Sequence, residues 1–224
     1  PADNPMTVAL NRDGTRAYIA NSGAGTVSVV DTATNAITAT VSVGNAPWGI
    51  ALTPDGSRAY VSNNLGRTVS VIDLGTNTTI ATVTQFNSPA GVRVSPDGTR
   101  VYVVNRDTDR VTVLDAATNT VISQITVGDY PGEIALSPDG SRGYVSNQIG
   151  DSVTVLSLAG GSAPEIVSVV LGEPSSSSGA IAGTVSAIDP DGNTVRYSVL
   201  TPPTHGTITV HPTTGALGYT PDAA

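Results

Sequence analysis

One spacing constrains this chain more than any other feature. Asp13-Gly14, Asp55-Gly56, Asp97-Gly98 and Asp139-Gly140 recur every 42 residues. The same step relates Arg16, Arg58, Arg100 and Arg142, then Tyr18, Tyr60, Tyr102 and Tyr144, then Asn21, Asn63, Asn105 and Asn147. Val27, Val69, Val111 and Val153 keep it as well. Asp31, Asp73 and Asp115 follow, but Ser157 stands where a fourth Asp is due. A fixed period of this length means that one supersecondary unit is repeated and stacked, each copy covering the apolar face of its neighbour.

Each copy reads as four short strands. In the second copy these are GIALTP, SRAYVSN, RTVSVIDL and TTIATVTQ. Pro54-Asp55-Gly56 joins the first two, with Gly taking the positive φ and Asp capping the turn. Gly75-Thr76-Asn77 joins the last two, and Asn tolerates the left-handed region that a tight hairpin needs. Val69 and Val71, like Val111 and Val113, alternate with Ser or Thr, the period of a strand. Four antiparallel strands repeating at ~40–50 residues define a β-propeller blade. The fold class is all-β, with three full blades (5–46, 47–88, 89–130) and a fourth of three strands ending near Leu158. A closed ring needs more, so blades upstream are expected; a tight four-blade ring or two chains pairing into eight blades are the alternatives. An open arc leaves apolar faces bare.

The period stops at residues 159–164, a Gly, Ser and Pro linker. Strand-like runs follow at EIVSVVLG, GAIAGTVSAID, TVRYSVL, GTITVHP and GALGYTP. Short spaced strands of this kind suggest a partial β-sandwich over 165–224.

The motifs YIAN (18–21), YVSN (60–63), YVVN (102–105) and YVSN (144–147) resemble those of YVTN-family propeller repeats. TVSVVDTATN, TVSVIDLGTN and RVTVLDAATN are similar to that family's next hairpin. The resemblance covers residues 5–158. It implies a bacterial or archaeal protein, exported or in a surface layer, commonly with seven blades. DPDGNTVRYSV and PTHGTITVHPTTGALGYTP resemble bacterial cadherin-like or Ig-like modules, here shorter than usual.

Chemistry-bearing residues are few. There is no Cys, which excludes thiolate nucleophiles, thiolate metal sites and disulfides. The blades contain no His and a single Glu, Glu133. A Ser-His-Asp triad inside the blades is therefore impossible, and no catalytic residues are assigned. His205 and His211 could meet across a hairpin around a metal, although two solvent-facing strand residues is the favoured reading. Asp189, Asp191 and Asn193 alternate oxygen ligands in the manner Ca²⁺ favours; an ordinary turn is the favoured reading, and no other cofactor is expected. The inter-blade loops share one rim. Trp48, with Tyr130 holding a like place two blades on, and Arg106 and Arg110 are the binding candidates there.

The formal net charge of -8 argues against nucleic acid. No apolar run reaches the ~18 residues of a membrane span. These readings lead to a non-catalytic, extracellular or cell-surface propeller that binds a protein or surface glycan, with possible self-association to close the ring. The alternative is a lactonase-type propeller enzyme with its catalytic residues on further blades, which needs His, Arg and Glu, or metal-binding carboxylates, converging on the channel.

Overall fold

The computed structural model describes residues 3–158, 165–188, 195, 197–199 and 202–222. The chain divides into two compact units, Pro1–Ala159 and Gly160–Ala224. In the first unit, β1 (Pro5–Leu10), β2 (Arg16–Asn21), β3 (Thr26–Asp31) and β4 (Ile37–Ser42) form blade 1. Blade 2 comprises β5 (Pro47–Leu52), β6 (Arg58–Asn63), β7 (Thr68–Asp73) and β8 (Thr78–Val83). Blade 3 comprises β9 (Pro89–Val94), β10 (Arg100–Asn105), β11 (Arg110–Asp115) and β12 (Val121–Thr126). Blade 4 has three strands, β13 (Pro131–Leu136), β14 (Arg142–Asn147) and β15 (Ser152–Ser157). Every pairing is antiparallel, and β1, β5, β9 and β13 neighbour one another in that order along the inner edge.

The repeat's Asp and Gly residues are spent on turns. Gly14, Gly56, Gly98 and Gly140 all have φ between +70° and +76°, which a side chain would strain. Asp55 Oδ1 accepts the Ser57 N–H at 3.0 Å and the Thr53 hydroxyl at 2.5 Å. Asp139 Oδ1 likewise accepts the Ser141 N–H at 3.1 Å and the Ser137 hydroxyl at 2.5 Å. Asp31, Asp73 and Asp115 each accept the N–H three residues on, from Thr34, Thr76 and Thr118, at 2.8 Å. In those hairpins Asn35, Asn77 and Asn119 take φ of +57°, +55° and +57°.

The repeated Asn closes the other end of each blade. Asn63 is fully buried. Its Nδ2 donates to Ser70 Oγ at 2.9 Å and Thr68 Oγ1 at 3.0 Å, and its Oδ1 accepts the Gly44 N–H at 3.1 Å. One side chain thus ties β6 and β7 to the loop that enters the blade. Asn21, Asn105 and Asn147 make the same 2.9 Å bond to Ser28, Thr112 and Thr154.

The core lies between blades. Tyr18 packs with Ile50, Val61 and Ile72 of blade 2, Tyr60 with Val92, Val101 and Leu114 of blade 3, and Tyr102 with Ile134, Val145 and Leu156 of blade 4. The Tyr60 hydroxyl sits 3.1 Å from Ala116 O and 2.9 Å from Asn119 Oδ1, both in the next blade. Tyr144 has no following blade to enter and is 42% exposed. At the other end Val8 is 58% exposed, where its counterpart Ile50 is 3% exposed. The four blades therefore make an open arc.

In the second unit β16 (Glu165–Leu171), β17 (Ile181–Ile188), β18 (Thr207–Val210) and β19 (Ala216–Thr220) form one sheet, ordered β16-β17-β19-β18. The strand expected over 194–200 is not found at its described positions; there the Tyr197 hydroxyl accepts the Ala187 N–H at 3.0 Å instead. Asp189, Asp191 and Asn193 lie outside the described residues. His211 turns Nδ1 toward the N–H groups of Thr213 and Thr214, at 3.4 and 3.3 Å.

Two outcomes follow from this bonding. Asn63→Ala should lower stability by about 2–4 kcal/mol, because a fully buried side chain loses three bonds at once, to Ser70, Thr68 and Gly44. Asn147→Ala should cost less, since its Oδ1 has no partner among the described residues; urea midpoints of the two variants check the order. The hydroxyl and N–H bonds hold Asp55 and Asp139 down from the usual 3.8 to about 2, Thr53 and Ser137 contributing most. The folded pKa is depressed, so this stabilisation is present above about pH 4 and fades as the pH falls toward 2. A variant carrying Asp55→Asn and Asp139→Asn should show a flatter thermal midpoint against pH across that window than the parent chain.

Candidate active site on the innermost strands

The innermost strands depart from the repeat at two positions. Ala9, Ala51 and Ala135 share a register in which blade 3 has Arg93. Thr7, Gly49 and Gly91 share another in which blade 4 has Glu133. The two departures fall on neighbouring strands, β9 and β13. There Arg93 Nη2 meets Glu133 Oε2 at 3.4 Å, and the side chains remain 40% and 49% exposed.

The surrounding chain makes room for this pair and fixes it. A Cβ at position 91 would lie 2.9 Å from both Glu133 Cα and Glu133 Oε2, so Gly91 leaves the space that the carboxylate side chain occupies. The Glu133 N–H donates to Ser146 Oγ at 3.2 Å, and Arg93 Nη1 donates to Val92 O at 2.7 Å. A half-exposed ion pair adds only ~0–1 kcal/mol to stability. Fold stability is therefore a weak reason for two charges where the other blades place Ala, Thr or Gly. A guanidinium fork beside a carboxylate, open to solvent on a rigid edge, can instead hold a polar substrate group and exchange a proton with water.

A second cluster lies on the rim, where the innermost strands begin and the second strands end. Arg106 opens a 3-10 turn, Arg106–Thr108, directly after β10. Its guanidinium carbon is 4.4 Å from the centroid of the Trp48 ring and 5.4 Å from that of Tyr130. Three of the four rim residues singled out in the sequence thus come together, from blade 2, from blade 3 and from the loop that leads into blade 4. Arg110 stands apart: it donates to Gln124 Oε1 at 3.1 Å and lines a polar pocket of about 420 Å³ with Gln85, Asn87 and Thr108. Tyr130 is not the counterpart of Trp48, whose register holds Ala90 and Gly132. It repeats with Ala46 and Ser88 instead, and the three share a left-handed φ of +52°, +46° and +52°. At the opposite strand ends a cleft of about 620 Å³ contains Asp55, Asp97 and Asp115, but these carboxylates already hold their own turns.

Residues 7–163 match the family model described as lactonase, 7-bladed beta-propeller. The chain belongs to that family. Among solved structures it is similar to hydrazine synthase of Kuenenia stuttgartiensis, with 26% identity over 84% of this chain and 57% of the other, at a TM-score of 0.68. It is also similar to the periplasmic gluconolactonase of Pseudomonas aeruginosa, with 24% identity over 68% of this chain and 49% of that one, at a TM-score of 0.60. A putative 6-phosphogluconolactonase from Bacteroides fragilis gives 20% identity, coverages of 68% and 50%, and a TM-score of 0.60. The chain spans about half the length of these structures. No curated protein matches it.

The family match overturns the expectation of a non-catalytic, adhesive surface propeller. That expectation came from the scarcity of His and Glu. It overlooked that the one Glu of the blades lies on an innermost strand beside an Arg. The available signal was the pair of breaks in register at 93 and 133.

Gly91→Ala should disturb the site and the blade contact together, because Glu133 Cα and Gly132 O, at 2.9 and 3.0 Å from the new Cβ, are backbone atoms that move only with their strand. A loss of about 1–3 kcal/mol is expected from such overpacking, measured by thermal unfolding against a Gly75→Ala control.

Proposed function

We propose that the chain carries part of the active site of a lactone-hydrolysing propeller, with Arg93 and Glu133 as its catalytic pair. The observation that carries this reading is their meeting on β9 and β13, at 3.4 Å and accessible to solvent, in a member of the lactonase propeller family. Opening a lactone needs a base for the attacking water and a donor for the oxygen that becomes negative. The Glu133 carboxylate takes a proton from water as the water oxygen bonds to the lactone carbonyl carbon. The Arg93 guanidinium donates to the carbonyl oxygen as charge grows there. Collapse breaks the ring carbon–oxygen bond, and the leaving ring oxygen takes the proton back from Glu133. Water is the only co-reactant, and the product is a hydroxy acid. A placed general base contributes ~10²–10⁴-fold and an oxyanion donor ~10²–10³-fold.

The motifs of residues 18–21, 60–63, 102–105 and 144–147 support a YVTN-type repeat within that family. DPDGNTVRYSV supports a cadherin-like reading of the second unit, which then acts as a spacer. An exported location accords with the Pseudomonas aeruginosa neighbour, described as periplasmic.

The test is proton release from glucono-δ-lactone followed by pH-stat, with the buffer rate subtracted. This lactone is chosen because one solved relative is described as a gluconolactonase. The parent chain should exceed buffer. Glu133→Gln should lower kcat/KM by about 10²–10⁴-fold, and Arg93→Lys should lower it less, since the charge stays while the fork is lost. A parent rate equal to buffer, or an unchanged Glu133→Gln variant, sinks the reading.

A further inference from the structure

We propose that Arg106, lying over the rings of Trp48 and Tyr130, forms an oxyanion-binding site on the rim that takes a carboxylate or a phosphate group. The guanidinium carbon lies over both rings, 4.4 Å from the centroid of Trp48 and 5.4 Å from that of Tyr130. Stacking uses the π-faces of a guanidinium and leaves its N–H groups, which all lie in the plane, for other partners. A fork of this kind matches two oxygens of one carboxylate or phosphate.

The hydrogen bonding around Arg106 is unfinished. Its Nε is buried and meets no hydrogen-bond partner, and among the described residues no carboxylate pairs with it. The carboxylates next in sequence are engaged elsewhere. Asp107 Oδ2 accepts the Ser88 hydroxyl at 2.6 Å, and Asp109 Oδ1 accepts the Tyr130 N–H at 2.8 Å. Both bonds fix the loop that carries Arg106, and the second ties it to Tyr130. A buried N–H without an acceptor is costly, and a pure staple between two rings would not need one. Arg106 Nη1 and Nη2 also donate to no described residue and, unlike Nε, are not sealed from solvent, so an oxyanion from outside can take both. The neighbouring Asp side chains repel a distant anion, so recognition rests on the short-range fork and is not driven by a basic surface. The proposal is independent of the hydrolytic reading of Arg93 and Glu133, which lie elsewhere on the innermost strands.

Trp48 is the single tryptophan of the chain, so its emission reports on the cation stacked against it. Potassium phosphate and sodium acetate are titrated separately, each against sodium chloride at matched ionic strength. A saturable change in Trp48 emission with phosphate, acetate or both, absent with chloride, supports the site. Phosphate alone assigns a phosphoryl group, acetate alone a carboxylate, and both together either oxyanion. Arg106→Gln should weaken binding at least ten-fold, and Arg106→Lys by an intermediate factor. Should Arg106→Gln lose its far-ultraviolet β signal, Arg106→Lys and Tyr130→Leu carry the test through their own weakened binding. Glu133→Gln should bind as the parent does, so a failure of lactone hydrolysis leaves this outcome separate. No saturable change, an equal change with chloride, or undiminished binding in Arg106→Gln or Arg106→Lys overturns the proposal.

Discussion

Everything in the first unit depends on the burial of one blade face against the next. No blade encloses a core of its own: each of the three apolar clusters takes its side chains from two adjacent blades. The tyrosine of the second strand is the element that crosses. Tyr18, Tyr60 and Tyr102 are buried by the blade that follows, and Tyr144, with none following, is not. Burying large aromatic side chains supplies much of the favourable energy of such a stack. The cost of ordering the chain falls on turns that each copy solves in the same way. The stability of the arc is then close to a sum over blades and their interfaces.

That economy explains what was legible in the sequence. Asp-Gly turns, Asp-Thr-Asn hairpins and the buried Asn are local solutions fixed by residue type. Reading them at constant spacing gave the strands, their order and the break after blade 4. The second unit was less legible because it does not repeat, and its expected strand over 194–200 is absent at the described positions. The candidate active site was missed for a physical reason. Arg93 and Glu133 are 40 residues apart, two short of the period. Each breaks its own register, but nothing joins the two breaks until β9 and β13 are seen to be adjacent. The rim cluster was half legible: the loops that bear Trp48, Arg106 and Tyr130 follow from blade topology, but the stacking does not, and Arg110 turns to Gln124 instead.

The repeat and its exceptions thus divide the work. Positions that recur make turns, caps and interfaces, and most of their bonds go to partners from the chain itself. Positions that break the register, Arg93, Trp48 and Glu133 among them, keep exposed or incompletely bonded groups on the inner edge and the rim. Charges kept where Ala, Thr or Gly would fold as well add little to stability, and perturbed local rules of this kind mark functional sites.

The most direct test restores the repeat. The double variant Arg93→Ala, Glu133→Thr places in blades 3 and 4 the residues that blades 1, 2 and 4 use at register 93 and blade 1 uses at register 133. Thermal unfolding and lactone hydrolysis are then measured on one preparation. The account predicts a midpoint equal to that of the parent chain or above it, with hydrolysis reduced to the buffer rate. Retained hydrolysis, or a collapse of the fold on removing the pair, would contradict it.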